Sequence, residues 1–236
     1  TIMTTNMITT SDQKFKYEIE KADQEQKDEV INTLINRIRS LGEEYPECAE
    51  ALNKIAEVKG LTKAIGDAGN SVAQSARSKS GKKLEQIIIN CMPDIFKDKI
   101  GIQEQIHINH ITGCLARNQE GHYKGKEDLI PYLKTNGEFK EGDKIPCLIS
   151  SKCSLRERFK QDSALGSSIG KVYLVSKAKE KDISIGKITE MRNNGCSFVM
   201  PDYIYYPKKK HWKDIRNQSI TLEEMWKEIY LILSKQ

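Results

Sequence analysis

The hydrophobic pattern changes its period part-way along the chain, and this change restricts the fold more than any other feature. From Ser11 to Leu41, apolar residues recur every three to four positions among Lys, Glu and Gln, as in an amphipathic helix. After His107, short apolar or β-branched runs are bounded by Gly, Pro and Asn, as expected for strands. These runs are 128–130, 145–152, 171–176 and 196–200. Helices followed by alternating strands and helices predict an α/β fold.

Further helical patterns complete this prediction. They cover 46–58, which Gly60 ends, then Lys82 to Cys91, Ser154 to Leu165, Ile183 to Arg192, and a closing amphipathic segment from Leu222 to Leu233. With 236 residues, 38% of them hydrophobic, the chain can bury one good core. We therefore expect an N-terminal helical region, 1–66, and a core domain, 67–236.

Composition excludes several classes of protein. The 38 basic against 33 acidic residues leave a net charge of +5, which suits a polyanionic partner without requiring one. Six cysteines contain no C-x-x-C pair, which argues against a zinc ribbon or a thioredoxin-type site and predicts reduced, mostly buried thiols. No stretch approaches the roughly 20 apolar residues of a membrane span, and residues 1–10 lack a signal-peptide pattern. These features predict a cytoplasmic protein.

Lys152 ends a predominantly apolar predicted strand, where an unpaired ammonium would cost several kcal/mol. Alternation along this strand puts Ser150 and Lys152 on one face and Ser151 on the other. Asp128 begins the preceding predicted strand. An acid and a lysine on adjacent strands can serve Mg²⁺-dependent phosphodiester hydrolysis, because Mg²⁺ prefers oxygen ligands. A structural ion pair for Lys152 and a solvent-facing acid at Asp128 are the simpler alternatives.

A literal Pro-Asp dipeptide at Asp94 is a rival source of the acid. Pro fits the first turn of a helix, where an acidic neighbour is favourable, so helix-start chemistry alone explains this dipeptide. The histidines do not indicate a metal site or an HNH nuclease, since no pair has the i, i+4 spacing.

The segment 151–161, SKCSLRERFKQ, resembles the block SKTSLRERWKQ of type II restriction endonucleases in the EcoRII/SsoII/Cfr10I-like branch of the PD-(D/E)XK superfamily. Upstream, 76–85 resembles the R-x-S-R-x-G-K-x-x-E helix start of the same enzymes. Downstream, 171–176, 187–191 and 197–200 resemble their YLVT…K…M…VVP tail. This resemblance implies a restriction-endonuclease-like core with a mixed central sheet flanked by helices, plus an N-terminal helical layer.

The resemblance also implies roles for individual residues. Lys152 matches the superfamily lysine, Asp128 the strand aspartate that holds Mg²⁺, and Glu85 a helix glutamate near the metal. Arg156, Glu157 and Arg158 match a triplet that reads adjacent C·G pairs, a role suited to arginine forks on guanine and a carboxylate on cytosine. The implied enzyme is a homodimer that cuts both strands of double-stranded DNA at a short palindrome. The remaining candidate DNA-binding residues are Lys160, Arg77, Lys79, Lys82 and Lys209, and a basic loop is the alternative for the last of them.

Ser150 departs from the family pattern, because many members carry the second acid there. Ser150 is still a candidate catalytic residue, because it occupies the position of that acid. The position at which the branch often supplies this acid is Leu165 here, so Asp162, one helical turn earlier, or Glu85 must replace it. A monomeric nicking or repair endonuclease and a noncatalytic DNA-binding relative are the alternative functions.

Overall fold

The structure is a computed structural model, and it describes residues 10–44, 79–104, 107–109, 111–116, 129–152, 168–177 and 179–236. The chain divides into one unit built from Thr1–Glu18 and Leu84–Gln236 and a second built from Ile19–Lys83. The predicted helices at 46–58 and 154–165 and the predicted domain boundary at 66/67 lie outside the described residues and stay predictions.

The predicted helices are confirmed wherever the structure describes them. Helix 79–90 buries Leu84, Ile87 and Ile88, three of the four residues predicted to face inward, and the fourth, Cys91, is buried directly after it. The closing helix likewise buries the whole predicted apolar stripe. The described helices are α1 (Ser11–Glu44), α2 (79–90), α3 (Asp94–Lys97), α4 (Ile185–Asn193), α5 (Trp212–Asn217) and α6 (Leu222–Leu233).

A mixed sheet of five strands, in the order β1-β4-β5-β6-β7, lies at the centre of the first unit. The pairs β1–β4 and β4–β5 are antiparallel, whereas β5–β6 and β6–β7 are parallel. A separate two-stranded sheet joins β2 to β3. The described strands are β1 (Ile100–Glu104), β2 (His107–Ile108), β3 (Leu115–Ala116), β4 (Leu129–Leu133), β5 (Leu148–Lys152), β6 (Val172–Ser176) and β7 (Cys196–Val199). This arrangement confirms the predicted α/β class with a mixed sheet.

One face of the three parallel strands forms the main core. Leu148, Val172, Leu174, Cys196 and Phe198 pack there with residues of α4 and α5, namely Ile188, Met191 and Ile215. Side chains along a strand alternate between faces. Ser150 and Lys152 therefore share a face, as the sequence predicted, and this is the face of Leu148.

The predicted strand 145–152 is shorter in the structure, where β5 begins at Leu148. Pro146 has no N–H group and cannot donate to a ladder. The N–H groups of Ile145 and Leu148 still find acceptors: they donate to the carbonyl oxygens of Gly113 at 2.9 Å and of Lys171 at 3.0 Å. Ile145 and Cys147 are thus buried in the lead-in to β5 without being part of the five-residue strand.

Of the four described cysteines, Cys91, Cys147 and Cys196 are buried and Cys114 is half-buried, in agreement with the predicted mostly buried thiols. Burial raises the pKa of both the Cys91 and the Cys147 thiol to about 12. Within the described ranges, none of the helices combines the length and the apolar character needed to cross a membrane.

Candidate functional site

Buried polar side chains concentrate at the carboxyl ends of β5 and β6. The buried polar or charged residues of the described chain are Ser11, Asp12, Ser150, Ser151, Ser176 and Asp182. Four of these six belong to β5, to the last position of β6, or to the short 3-10 helix Glu180–Asp182 that follows β6. Polar burial costs free energy unless partners are provided. This edge of the sheet is therefore chemically distinct from the apolar core below it.

Lys152 is the last residue of β5, and its side chain is half-buried. In the parallel ladder it lies level with Ser176, the last residue of β6. Ser150 lies two residues before Lys152 on the same face and is only 1% exposed. The structure thus brings Ser150, Lys152 and Ser176 to one corner of the sheet, with an ammonium at its rim.

Asp128 lies outside the described residues. The next residue, Leu129, begins β4 and pairs with Ile149 in the antiparallel ladder with β5. Strand β4 therefore begins beside the strand that carries Lys152, and the placement of Asp128 itself stays a prediction.

Glu85 lies in α2 and is half-buried. It is flanked by the buried Leu84 on the same helix. Its role near a metal stays a prediction.

The lysines at the start of α2 belong to the unit Ile19–Lys83. Lys82 is exposed. Lys79 forms an ion pair with Glu29, and Lys83 forms one with Glu25 at 3.5 Å. All four side chains of these pairs are about half exposed, so the pairs are surface interactions of small energy.

The proposed base-reading residues Arg156, Glu157 and Arg158 lie outside the described residues, as do Lys160 and Arg77. The same holds for Asp162, the proposed substitute acid. Among the residues that the structure does describe, no group of three or more His, Cys, Asp or Glu side chains could hold a metal ion. The predicted ligand set depends on Asp128 and Asp162, which are outside those residues.

Asp94, the rival acid, begins α3 directly after Pro93. Its side chain is 90% exposed and pairs with Lys97 in the same turn. The hydrogen bond from Lys97 lowers the pKa of this carboxyl. Local helix chemistry accounts for this residue, as the Pro-Asp dipeptide predicted.

Lys209 lies in the segment after β7, and its Nζ donates a hydrogen bond to the carbonyl oxygen of Glu180 at 2.7 Å. Since Glu180 follows β6, this contact joins the segments that leave two neighbouring parallel strands. Sequence reasoning proposed a phosphate contact for Lys209 and did not foresee this link.

Ser176 and Asp182 are the polar residues at this edge that sequence reasoning missed. Ser176 was included in a predicted strand without a role. Asp182 directly precedes Ile183, the first residue of a predicted helix, where an acid is ordinary. The available signal was the serine at the end of the apolar run 172–176, because a hydroxyl in a buried strand is itself buried and indicates a polar site there.

The fold is similar to that of the solved structure "Metal-depleted Ecl18kI in complex with uncleaved, modified DNA". The TM-score is 0.59 and the identity 18%, over 97% of this chain and 74% of that chain. Ecl18kI is a restriction endonuclease. The chain has the restriction-endonuclease-like α/β fold.

A second structure, "Metal-depleted Ecl18kI in complex with uncleaved DNA", matches with a TM-score of 0.46 and 18% identity, over 97% of this chain and 80% of that chain. No protein-family model matches the sequence, and no curated protein matches it. At this identity, the likeness identifies the restriction-endonuclease-like fold and leaves the reaction to be argued from the residues.

Proposed function

We propose that the chain is a magnesium-dependent type II restriction endonuclease of the EcoRII/SsoII/Cfr10I-like branch. It hydrolyses both strands of duplex DNA at a short palindrome that contains adjacent C·G pairs, and it acts as a homodimer. The observation that carries the proposal is the half-buried Lys152 at the carboxyl end of β5, beside β4, in a restriction-endonuclease-like fold.

Asp128 is proposed to lie opposite Ser150. The antiparallel pairing of Leu129 with Ile149 supports this, because one step back along β4 corresponds to one step forward along β5. Opposed residues in such a ladder share a face, with Cβ atoms roughly 4.5–5.5 Å apart. The carboxylate of Asp128 would then share a face with the ammonium of Lys152.

Mg²⁺, when bound, polarises the phosphate and lowers the pKa of a coordinated water. Asp128, together with Glu85 or Asp162, would hold it. Ser150 occupies the position at which many family members have an acid, and its hydroxyl faces the same corner. Lys152 orients the attacking water and offsets the negative charge that develops on the phosphate.

Sequence readout is assigned to Arg156, Glu157 and Arg158, which follow Lys152 in the chain. Arginine binds guanine O6 and N7 in the major groove, and a carboxylate accepts from cytosine N4. The proposed phosphate contacts, which position the protein without reading sequence, come from Lys160, Arg77, Lys79, Lys82 and Lys209.

The test is incubation of the purified protein with plasmid DNA and Mg²⁺. The wild type should give discrete fragments. Lys152→Ala should bind the same DNA and leave it intact, because the charge at the reacting phosphate is lost while the fold remains. Lys235→Ala, which removes an exposed lysine near the chain end, is the matched control and should cut normally. Full cleavage by Lys152→Ala would remove the mechanism.

The same digest separates the alternatives. Nicked circles produced by a protein that sediments as a monomer indicate a nicking or repair endonuclease. Ser150 favours a second candidate, a DNA-binding relative without catalysis, since a serine replaces a family acid there. Retarded but intact DNA at every Mg²⁺ concentration would identify that function.

A further inference from the structure

The segments that follow β6 and β7 form one lysine-rich region at the same sheet edge as Lys152. We name residues 177, 179–182 and 202–213 the lysine surface. Since β5, β6 and β7 are parallel, their carboxyl ends lie at a single edge. Both segments of the lysine surface leave the sheet there.

Lys209 holds these two segments together. Its ammonium donates to the carbonyl oxygen of Glu180 at 2.7 Å, so the two backbones approach within the length of one lysine side chain. Lys179 and Lys181 flank Glu180 in the chain, and Lys208 and Lys210 flank Lys209. Four lysines are thus gathered around a single cross-link.

The charge of the whole chain is concentrated in this region. The lysine surface contains seven lysines against the three acids Glu180, Asp182 and Asp202, which leaves +4. The complete chain of 236 residues carries +5, so the remainder carries only +1. Asp182 is buried, whereas Glu180 and Asp202 are exposed. Five of the lysines are exposed as well, namely Lys179, Lys181, Lys208, Lys210 and Lys213, so the exposed side chains still carry a positive excess. The field at this edge is therefore positive.

An aromatic framework orders the longer segment. The ring of Trp212 packs edge-on against Tyr206 at 5.6 Å and against Tyr205 at 6.2 Å. Within the same segment, the N–H of Lys209 donates to the carbonyl of Tyr206 at 2.9 Å, and that of Trp212 donates to the carbonyl of Lys209 at 3.1 Å. His211 adopts the left-handed conformation, with φ 60°, at the start of α5. These contacts fix the backbone that presents the lysines.

We propose that the lysine surface binds the sugar-phosphate backbone of duplex DNA beside the cleavage site, independently of sequence. This inference rests on the proposed function. Neighbouring strands lie roughly 5 Å apart, so the surface begins about one to two strand spacings from Lys152. A duplex that reaches Lys152 extends past this distance on either side. Duplex DNA presents one charge per about 1.7 Å of its axis, a density that several clustered lysines match.

Lys209 has two roles in this proposal. One of the three N–H donors of its ammonium connects the two segments, and the others remain for a phosphate oxygen beside the contacts of the exposed lysines around it. Tyr205, 70% exposed among these lysines, adds a hydroxyl donor for a phosphate oxygen.

The test compares binding of labelled duplexes of unrelated sequence, in EDTA, over a series of KCl concentrations. The variant Lys208→Gln/Lys210→Gln/Lys213→Gln should reduce the magnitude of the negative slope of log K against log salt by roughly 2–3, since each lost phosphate contact removes about 0.9. A matched control, Lys140→Gln/Lys144→Gln/Lys235→Gln, removes the same charge from exposed lysines elsewhere and should keep the wild-type slope. Equal losses in both variants would assign the effect to net charge and overturn the proposal.

A second measurement uses duplex length. The wild type should bind a duplex with long flanks more tightly than one trimmed to the cleavage site, and the surface variant should lose this advantage. Cleavage by wild type with an unchanged slope in the variant overturns this inference and leaves the proposed function standing. Salt-sensitive binding that the surface variant weakens, without any cleavage by the wild type, would contradict the proposed function and leave the phosphate contact by the lysine surface standing. Binding to anionic phosphatidylserine vesicles but not to DNA would overturn the DNA assignment.

Discussion

Asp12 is a buried carboxylate in the first turn of α1, and it accepts three backbone hydrogen bonds. Its Oδ1 accepts from the N–H groups of Asp202 and Leu222, both at 3.1 Å, and its Oδ2 accepts from that of Glu223 at 3.3 Å. Leu222 and Glu223 open α6, and the first N–H groups of a helix have no partner within it. Asp12 therefore caps α6 from a distant part of the chain.

Replacing Asp12 with Ala removes the acceptor from all three N–H groups. A buried donor without a partner costs about 1–3 kcal/mol, so three donors cost roughly 3 kcal/mol even at the lower limit. Loss of the carboxylate also removes the free-energy cost of its own burial, which offsets part of this. The hydrogen bond from the N–H of Glu224 to the Thr221 hydroxyl remains. We expect a loss of about 2–4 kcal/mol in the free energy of unfolding.

For a chain of this size, that loss corresponds to a fall in Tm of roughly 4–16 °C. Thermal unfolding followed by circular dichroism measures it, with urea unfolding as an independent estimate. Glu20→Ala, which removes an exposed acid from the same helix, is the control and should change Tm by less than about 2 °C. An Asp12→Ala protein as stable as this control would refute the reasoning.

The contribution of Asp12 to stability should depend on pH. Burial raises the pKa of the Asp12 carboxyl above its usual 3.8, and the backbone donors oppose this only in part. The folded chain therefore keeps this proton to a higher pH than the unfolded chain. The free-energy cost of burying the ionised Asp12 carboxylate is present in full above the folded-state pKa. This cost is lost as the pH falls through that pKa to below 3.8, the usual pKa of the group. The Tm difference between wild type and Asp12→Ala should widen from pH 7 towards pH 4, and a narrowing difference contradicts this.

Three further substitutions test the packing of the first unit by thermal unfolding. Gly101→Ala should cost about 1–3 kcal/mol, because a Cβ there overlaps the ring of Tyr132, and adding Tyr132→Ala should return part of the loss. Tyr173→Phe should cost about 1 kcal/mol, since it deletes the hydrogen bond to Glu228 at 3.0 Å, and stability equal to wild type would deny that bond a role. Thr221→Ala should cost about 1 kcal/mol through loss of the α6 cap, with Thr221→Ser close to wild type.

Periodicity was sufficient to predict the elements whose apolar residues face a single core. Helix 222–233 is an example, because it buries its apolar stripe completely. Strand 171–176 was predictable from its short apolar and β-branched run instead, since all five positions of β6 are buried and show no alternation. The corner formed by Ser150, Lys152 and Ser176 was partly predictable. Alternation placed the first two on one face, but only the parallel register could bring Ser176 level with Lys152.

The unpredicted elements depend on partners distant in sequence. Strand β1 alternates poorly and contains Gly101, yet it pairs with β4 along five positions, where the ring of Tyr132 covers the glycine. Strands β2 and β3 have two residues each, too few to show a period. Asp12 resembled an ordinary acid in a first helical turn, and nothing local indicates that its hydrogen-bond donors come from positions 202, 222 and 223.

The start of the segment that follows β7 is held by two charged side chains. Arg216 donates to the carbonyl oxygen of Met200 at 2.6 Å, and Asp12 accepts from the N–H of Asp202 at 3.1 Å. The second segment of the lysine surface begins at Asp202, and the hydrogen bond of Lys209 holds it again seven residues later. A surface held at both points has less conformational entropy to lose on binding. The hydrogen bonds of Arg216 and Asp12 therefore also preorganise the lysine surface for binding a rigid polyanion.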